Sequence, residues 1–398
     1  MTSPRAESLT GTSNPAFSQT DSPKRVLVIF GTRPEAIKLC PLIAALKMGA
    51  FAGRVRPVIC VTGQHREMLD QVMRIFEIRP DFDLAVMQPG QSLAELSSRL
   101  LSRLPAVFAE VKPALTVVQG DTTTTLCGAL SSFYAGVDIA HVEAGLRTFD
   151  LRAPFPEEMN RVLTAPLTTL HFAATRRAAD NLLREGVPSA GIEVTGNTGI
   201  DAVLAVSGRL DAGAFSGLDL DLSESKRLIL VTAHRRESFG REFENICGAI
   251  SQIAERDDVQ IVWPVHRNPN VRAPVETALR GKVNVILTDP LEYLPFVDLM
   301  RRAYFLVTDS GGIQEEAPSL GKPVLVLRNT TERPEAVEAG TVKLVGTARE
   351  RIVDASVRLL ENRIEYERMA RLHNPYGDGR ASARIVSRMI SHLKIPLT

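Results

Sequence analysis

Carboxylates with possible chemical roles stand close to other polar side chains in the first half of the sequence. The segment GDTTTT sets Asp121 before a run of threonines, and FPEEMNR sets Glu157 directly after a proline. Carboxylates grouped in one site can move protons as general acids and bases. Each also has an ordinary role, because Asp121 could cap a helix and Glu157 suits a helix N-terminus.

The segment HVEAGLR adds a third carboxylate, Glu143. Alternation along a strand would put His141 and Glu143 on one face, with Arg147 directed into the same crevice. The His-x-Glu spacing also occurs in zinc deaminases, but the chain contains no PCxxC segment to complete their ligand set. We therefore expect no metal site.

Cations and glycines in other segments suit phosphate binding. Arg33 and Lys38 flank a helix start that contains a proline, where both could reach a diphosphate, although two solvated cations are an equally ordinary interpretation. His234 begins HRRES, whose clustered cations require an anionic ligand or a carboxylate partner. The glycines of TDSGG, at positions 311 and 312, allow close approach of backbone N–H groups to an anion.

The elements that must position these residues are short apolar strands followed by amphipathic helices. From residue 25, runs such as RVLVIF, RPVICV and LTVVQG alternate with helix-period segments, and the pattern restarts near 194–197 with RLILVT, VQIVWP and YFLVTD. This alternation predicts an α/β protein with two doubly wound parallel sheets. Ligands of such sheets bind outside the carboxyl ends of the strands, which is where the polar residues above occur.

Composition narrows the class of partner. The 398 residues contain 47 Lys plus Arg and 46 Asp plus Glu, so we expect neither nucleic acid nor an anionic membrane as a partner. The four cysteines lack CxxC spacing, which favours buried, reduced thiols and a cytoplasmic location. No apolar run reaches the roughly 20 residues of a spanning helix. Residues 1–23 are rich in Ser, Thr and Pro and are predicted to be a disordered leader.

Taken together, the motifs FGTRPEAIK, TGQHREMLDQV, GDTTTT, HVEAGLRT, PFPEEMNR, HRRESFG, DPLEYLPF, TDSGGIQEEAPSLGKPVL and RNTTERPEA resemble the non-hydrolysing UDP-N-acetylglucosamine 2-epimerases, in the same order from about Arg25 to the final helix. The resemblance implies a glycosyltransferase-B architecture: two Rossmann-like domains with a cleft between them. It places one domain at 24–195 plus 377–398 and a UDP-binding domain at 196–376. It also implies a homodimer.

The resemblance further implies roles for individual residues. Those implied to act in catalysis are Asp121, Glu143, Glu157 and His234. Those implied to bind substrate are Arg33, Lys38, Phe296, Ser310, Gly311, Gly312, Glu316 and Arg333, with Glu316 on the ribose and Phe296 beside the uracil. Some members bind a second substrate molecule as an activator, through positions that correspond to Gln64, His65, Arg235 and His266.

Two positions depart from the family pattern. Leu291 stands where many members carry a glutamine that contacts uracil, and MQPGQSL lacks an arginine that activator-binding members place nearby.

The implied reaction interconverts UDP-N-acetylglucosamine and UDP-N-acetylmannosamine. Carbon 2 is not adjacent to a carbonyl, so inversion requires either transient oxidation or loss of a neighbouring leaving group. FGTRPEAIK has one glycine rather than GxGxxG, so NAD is disfavoured and no cofactor is expected. Elimination of UDP to 2-acetamidoglucal, followed by re-addition, needs none.

Three alternatives to this function remain at the level of the sequence. The chain could be a 2-epimerase of a modified sugar such as UDP-2,3-diacetamido-glucuronic acid, a retaining glycosyltransferase of the same architecture, or a non-catalytic nucleotide-sugar binding protein.

Overall fold

The protein contains two parallel β-sheets, here described from a computed structural model that covers residues 22–48, 53–63 and 66–396, with the side chains of 66–68 left aside. The first sheet has the spatial order β3-β2-β1-β4-β5-β6-β7. Its strands are β1 (Lys24–Phe30), β2 (Val55–Val61), β3 (Phe82–Asp83), β4 (Leu115–Gln119), β5 (Ile139–Ala144), β6 (Leu170–Ala173) and β7 (Ile192–Val194).

The second sheet has the order β10-β9-β8-β11-β12-β13, and every strand pair in both sheets is parallel. Its strands are β8 (Arg227–Thr232), β9 (Val259–Pro264), β10 (Val285–Thr288), β11 (Phe305–Thr308), β12 (Val324–Val326) and β13 (Val342–Leu344). In both sheets the spatial order reverses beside the first strand, which creates a switch point where ligands bind in open α/β sheets.

Helices connect the strands and cover the sheets. They are α1 (Arg33–Lys47), α2 (Arg66–Ile75), α3 (Leu93–Val111), α4 (Thr123–Tyr134), α5 (Glu157–Thr164), α6 (Arg176–Arg184), α7 (Thr198–Asp211), α8 (Arg241–Ile253), α9 (Pro269–Leu279), α10 (Tyr293–Arg302), α11 (Gly311–Glu316), α12 (Pro334–Ala339), α13 (Arg349–Glu361), α14 (Arg363–Arg371) and α15 (Ala381–His392).

Strand β1 shows why the apolar runs are continuous rather than alternating. Val26, Val28 and Phe30 are buried in one cluster with residues of α1, whereas Leu27 and Ile29 are buried in another cluster with residues of α3 and α4. Where a strand is covered on both faces its positions are shielded from solvent and are apolar, as from Val26 to Phe30, whereas Lys24 and Arg25 at its start are exposed. The prediction of doubly wound α/β sheets is therefore confirmed.

Helix α7 and the chain around it join the two halves. It packs against α1 and α15 on one side and against α10 and α11 on the other. Beside it, the backbone N–H of Asn197 donates to the carbonyl of Tyr376 at 2.7 Å. Gly196 has φ +89°, and a Cβ there would lie 3.2 Å from the Tyr376 carbonyl oxygen. The chain therefore passes between the halves at one point, both when it enters the second half and when it leaves.

The last helix, α15, returns to the first half. It packs on α1 and α7, and the Asp201 carboxylate of α7 accepts hydrogen bonds from the backbone N–H groups of Ala381 at 3.1 Å and Ser382 at 2.7 Å. A carboxylate at a helix start satisfies donors that the helix itself leaves unpaired. The division into domains at 195/196 and 376/377 stays a prediction.

Other predictions concern the thiols and the leader. All four cysteines are buried free thiols, as predicted. Positions 1–21 of the proposed leader lie outside the described residues. Within the described part of the chain, no helix is both long and apolar enough to cross a lipid bilayer.

Candidate active site

A cavity of about 510 Å³, here called the central cavity, lies between the carboxyl ends of the two sheets. Both halves contribute to its lining, as the cleft prediction requires. The residues singled out from the sequence that line it are Arg33, Lys38, His234, His266, Phe296, Ser310, Gly312, Glu316 and Arg333.

Helix α1 carries the cations of the first half, and its start is held by a capping box. Thr32 is the N-cap, its hydroxyl accepting from the Glu35 backbone N–H, while the Glu35 carboxylate accepts from the backbone N–H groups of Thr32 at 2.7 Å and Gly31 at 3.0 Å. Reciprocal bonds of this kind fix the first turn of a helix. Arg33 and Lys38 therefore project from a rigid segment. The sequence motif TRPE carries this box, but Glu35 was not among the predicted site residues.

A chain of buried ion pairs, here called the ion-pair chain, crosses from the first half to the second. The Lys38 ammonium group pairs with the Glu143 carboxylate and lies 3.6 Å from that of Glu315, which accepts from Arg333 Nε at 2.6 Å. Burial alone would lower the pKa of Lys38, but the two carboxylates outweigh it and hold that pKa above its ordinary value. The chain joins α1, β5 and α11, so it fixes the two halves relative to each other.

The backbone at Glu143 departs from the strand geometry expected from alternation. Its φ is +64°, and the β5–β6 register shifts between Val142 and Ala144. A bulge of this kind re-aims a side chain. Glu143 consequently reaches Lys38 and accepts a hydrogen bond from Gln119 Nε2 at 2.8 Å. A residue other than glycine at positive φ costs stability and is often found at functional sites.

Two neighbours of Glu143 make contacts that were not predicted. His141 Nε2 lies 2.7 Å from the Gly120 carbonyl oxygen, and burial lowers the pKa of His141 to about 3, so the ring is neutral and donates this bond. Arg147 makes a bidentate pair with Glu185, at 2.7 Å for both contacts. It does not line the central cavity but lines a second cavity, to which both halves contribute.

Asp121 is not a helix cap. Thr122 is the N-cap of α4, and the Asp121 carboxylate instead pairs with Arg161 of α5. The Arg161 guanidinium also lies 3.1 Å from the buried Glu158 carboxylate, which accepts from the backbone N–H groups of Thr148 and Phe149 at 3.0 Å each. Arg161 was not predicted as a site residue, although its position one turn after the acids of FPEEMNR was a usable signal.

Glu157 begins α5, one turn before Arg161. Its side chain is partly exposed, and its carboxylate has no hydrogen bond or ion pair within the described residues. Neither Glu157, Asp121 nor Glu143 lines the central cavity, but Glu143 pairs with Lys38, which does. The structure therefore brings the predicted phosphate and nucleotide residues together, but leaves Asp121 and Glu157 beside the cavity.

Two side chains of HRRES have carboxylate partners that were not predicted: His234 Nδ1 lies 3.5 Å from Asp309 Oδ1, and Arg235 Nη2 lies 3.8 Å from Glu332 Oε1. Asp309 also holds the backbone of this segment. This fully buried residue follows β11, and its Oδ2 accepts from the backbone N–H groups of His234 at 2.7 Å and Arg235 at 2.8 Å. The His234 ring stacks on that of His266, with centroids 5.5 Å apart and an interplanar angle of 14°. Asp309 thus fixes the loop that presents His234 to the cavity.

The glycines after Ser310 have different surroundings. A Cβ on Gly311 would lie 2.5 Å from Arg333 Nη1, so a side chain at this position would require the guanidinium to shift. A Cβ on Gly312 would have only Glu316 Oε1 nearby, at 3.9 Å, and Gly312 lines the cavity. The first glycine therefore serves packing, and the second leaves the cavity open.

A second group of cavity residues, here called the Glu316 pocket, comprises Glu316, Tyr293 and Phe296. Burial, reinforced by the neighbouring Glu315 carboxylate, raises the pKa of Glu316 to about 8. The carboxylate has no hydrogen-bond partner within the described residues, and neither does the buried Tyr293 hydroxyl. Buried polar groups normally have partners. The Glu316 pocket therefore has free hydrogen-bonding capacity facing the central cavity.

The four proposed activator contacts are only partly described. Gln64 and His65 lie outside the described residues. His266 lines the central cavity, whereas Arg235 lines a separate cavity of about 630 Å³ together with Glu332. The structure does not bring Arg235 and His266 into one cavity.

Comparisons with known proteins agree with this arrangement. The UDP-N-acetylglucosamine 2-epimerase family profile matches residues 50–390. The chain is 55% identical over 368 residues to UDP-N-acetylglucosamine 2-epimerase of Escherichia coli strain K12, covering 91% of this chain and 97% of that protein. It is 56% identical over 369 residues to a probable UDP-N-acetylglucosamine 2-epimerase of Ralstonia solanacearum, with the same 91% and 97% coverage.

A solved structure extends the comparison to three dimensions. The crystal structure of UDP-GlcNAc 2-epimerase from Neisseria meningitidis bound to UDP-GlcNAc has a TM-score of 0.84 and 47% identity, covering 92% of this chain and 100% of that one. Both the fold and the motif order are shared over nearly the whole length. The chain belongs to the UDP-N-acetylglucosamine 2-epimerase family.

Proposed function

We propose that this protein is an isomerase that reversibly converts UDP-N-acetylglucosamine to UDP-N-acetylmannosamine, providing a precursor for surface polysaccharide. In the forward direction, the proton leaves carbon 2, its electron pair forms the C1–C2 double bond, and UDP departs with the electrons of the C1–O bond. UDP then re-adds to carbon 1 while a proton is delivered to the opposite face of carbon 2. No net oxidation occurs.

The observation that carries this proposal is the central cavity, which unites cations of the first half with the Ser-Gly-Gly loop of the second. Arg33, Lys38, Arg333 and the backbone of 310–312 are assigned to the diphosphate, whose charge grows as UDP leaves. Groups held in place before the reaction stabilise such developing charge most effectively. The neighbours named above already fix Lys38 and Arg333.

The Glu316 pocket is assigned to the nucleoside. Glu316 is placed on the ribose hydroxyls, which would supply the missing hydrogen-bond donors, and Phe296 beside the uracil. The carboxylate oxygens of Glu316 have no donor among the residues that the structure describes, and this supports the ribose assignment. A ribose hydroxyl would replace the hydrogen bonds to water that the carboxylate loses on burial.

Proton transfer is assigned collectively to Asp121, Glu143, Glu157 and His234. His234 is held at the cavity by Asp309, and Glu143 is held by Lys38 and Gln119. Glu157 is the first residue of α5, and Asp121 is linked to the same helix through its ion pair with Arg161. A closer approach of α5 to the bound sugar would complete the group.

The remaining proposals follow the family resemblance. We place the enzyme in the cytoplasm as a homodimer, and we retain Gln64, His65, Arg235 and His266 as contacts of an activating second substrate molecule. Light scattering of the purified protein tests the dimer. Strictly hyperbolic kinetics, with no effect of added UDP-N-acetylglucosamine on the reverse reaction, would contradict activation.

The function itself is tested by proton NMR of the purified protein with UDP-N-acetylglucosamine in D₂O, without added nucleotide or metal. The expected result is UDP-N-acetylmannosamine with deuterium at carbon 2. Free N-acetylmannosamine with UDP would indicate hydrolysis instead. Absence of exchange would overturn the proposal and direct attention to a modified sugar or a transferase.

A further inference from the structure

The buried carboxylate of Glu35 makes more contacts than a helix cap requires. Its side chain belongs to a residue that is 1% exposed. Oε2 accepts both backbone N–H groups of the β1–α1 turn, from Gly31 and Thr32, and this completes the capping box. Oε1 is not used by the box and points to another segment of the chain.

That segment is the start of α4. The Thr122 hydroxyl donates to Glu35 Oε1 at 2.7 Å, and the Thr125 hydroxyl lies 3.3 Å from the same oxygen. Thr122 is the N-cap of α4 and directly follows Asp121. One carboxylate therefore sets the spacing between the turn that carries Arg33 and the turn that carries Asp121.

The connections continue until they close a ring. Thr125 Oγ1 donates to the Gln119 carbonyl at 2.6 Å, and Gln119 Nε2 donates to Glu143 at 2.8 Å. Glu143 pairs with Lys38, which lies one turn after Glu35 on α1. Every member of the ring either is a proposed site residue or holds one in place.

A second capping box in the same protein shows what capping alone requires. On α3, the Ser92 hydroxyl and Glu95 carboxylate form the same reciprocal pair, with Glu95 Oε2 accepting from the Ser92 backbone N–H at 2.7 Å. Glu95 is exposed, and its hydrogen bonds stay within its own helix start. Burial and the two threonine hydroxyls therefore distinguish Glu35 from an ordinary cap.

We propose that Glu35 is a positioning residue for the isomerase reaction, holding α1 and the β4–α4 turn in register so that Lys38, Glu143 and Asp121 keep their working geometry. This inference rests on the proposed function. Glu35 does not line the central cavity, so it acts through the residues that it holds rather than on the substrate.

The test compares Glu35→Ala with Glu35→Gln, and uses Glu95→Ala as the matched control for loss of a capping box. Steady-state kcat and KM for UDP-N-acetylglucosamine are measured well below each variant's Tm, with circular dichroism confirming the folded state, and UDP affinity is measured by calorimetry. Together these measurements show whether activity is lost because the site of the folded enzyme is distorted or because fewer molecules are folded.

We expect Glu35→Ala to lower kcat by about 100-fold, the size of effect that follows from displacing reacting groups by about 1 Å, while UDP affinity changes by less than about fivefold. The Gln variant keeps kcat within about fivefold, because its carbonyl still accepts the two N–H groups and its amide can donate to Thr122. Glu95→Ala keeps kcat within about twofold while its Tm falls, as loss of an exposed cap predicts.

Two outcomes separate this proposal from the proposed function. If the wild type interconverts the sugars and folded Glu35→Ala keeps kcat within about threefold, the positioning role is overturned and the function stands. If the wild type itself is inactive, both fail.

Should Glu35→Ala not fold, Thr122→Val and Thr122→Ser test the other end of the same bond. We expect Thr122→Val to lower kcat by about tenfold and Thr122→Ser, which keeps the hydroxyl, to restore it. Equal activity of these two variants would overturn the positioning role.

Discussion

The ion-pair chain and the Glu316 pocket face the same cavity, but they shift the pKa of a carboxyl group in opposite directions. In the ion-pair chain, Glu315 lies between Lys38 and Arg333, which outweigh its burial and hold the pKa of that carboxyl below its ordinary value. Glu316, the next residue, is half-buried and has no such partner, and desolvation together with the Glu315 charge raises its pKa to about 8. Adjacent acids on one short helix thus belong to two kinds of site: one is satisfied by the protein, and the other retains capacity for a ligand.

The largest expected effect comes from breaking the ion-pair chain with Lys38→Met. Removal of the ammonium group leaves Glu143 and Glu315 buried without it, which lowers the free energy of unfolding by about 3–5 kcal/mol. If Lys38 binds the diphosphate as proposed, loss of this pre-organised cation lowers kcat by about 10³-fold. Denaturant unfolding and the NMR assay measure the two effects. The control is Lys47→Met in the last turn of the same helix, at an exposed position. Equal losses of stability and kcat in the two variants would contradict a special role for the ion-pair chain.

The next largest effect comes from comparing Gly311→Ala, which tests packing against Arg333, with Gly312→Ala, which tests the space available in the central cavity. Gly311→Ala forces a methyl group into the guanidinium, and we expect a loss of about 1–3 kcal/mol of stability and about 100-fold in kcat. Gly312→Ala meets no close neighbour, so its stability stays within about 0.5 kcal/mol of wild type, whereas UDP affinity falls because the methyl group enters the cavity. Thermal unfolding and calorimetry distinguish the pair. A stable Gly311→Ala variant would show that Arg333 is free to move.

A smaller effect is expected from Glu316→Gln, which removes the carboxylate that we propose binds the ribose, without breaking an ion pair. UDP should bind about tenfold more weakly. Because the folded-state pKa of Glu316 is raised, the folded protein holds a proton that the unfolded chain releases, and this contribution to stability decreases as pH rises from 4.5 to about 8.

The same variant therefore has a pH signature. Denaturant unfolding at several pH values should show wild type losing stability relative to Glu316→Gln as pH rises, by at most about 1.4 kcal/mol per pH unit. A difference that is constant with pH would mean that the carboxylate is ionised throughout this interval.

The smallest effect is expected from Leu291→Gln, which restores the amide present in many family members. The Leu291 carbonyl accepts from Arg33 Nη2 at 3.5 Å, so the backbone is already in contact with the first half. One added hydrogen bond should tighten UDP binding by about three- to tenfold. Unchanged UDP affinity in calorimetry would indicate that backbone groups already make the hydrogen bonds that the uracil requires.

The fold was predictable because its signal is continuous along the chain. The interiors of runs such as RVLVIF and RLILVT are continuously apolar, and this is explained by the helices that cover both faces of β1 and its neighbours. The predicted boundaries at 195/196 and 376/377 lie at the junction, but the sequence could not show the hydrogen bond between Asn197 and Tyr376, because it joins residues far apart in the chain.

The site was less predictable because its geometry depends on contacts between segments. The family motifs pointed to the residues that line the central cavity, yet the residues that hold them were missed: Glu35, Gln119, Arg161, Glu315 and Asp309. Strand alternation also failed at Glu143, because a bulge interrupts the two-residue period there. Spacing within one segment cannot specify which distant partner a buried polar group will meet.

The junction at Gly196 and Asn197 has a mechanical consequence. Since the chain enters and leaves the second half at this point, beside Tyr376 and Gly377, a rotation centred here moves the nearby backbone little and the far rim of the cleft most. Gly196 and Gly377 have φ values of +89° and +140°, which side chains of other residues disfavour. Such a rotation would also have to break the contact between Lys38 and Glu315, so the junction and the ion-pair chain together restrict how far the two halves can separate.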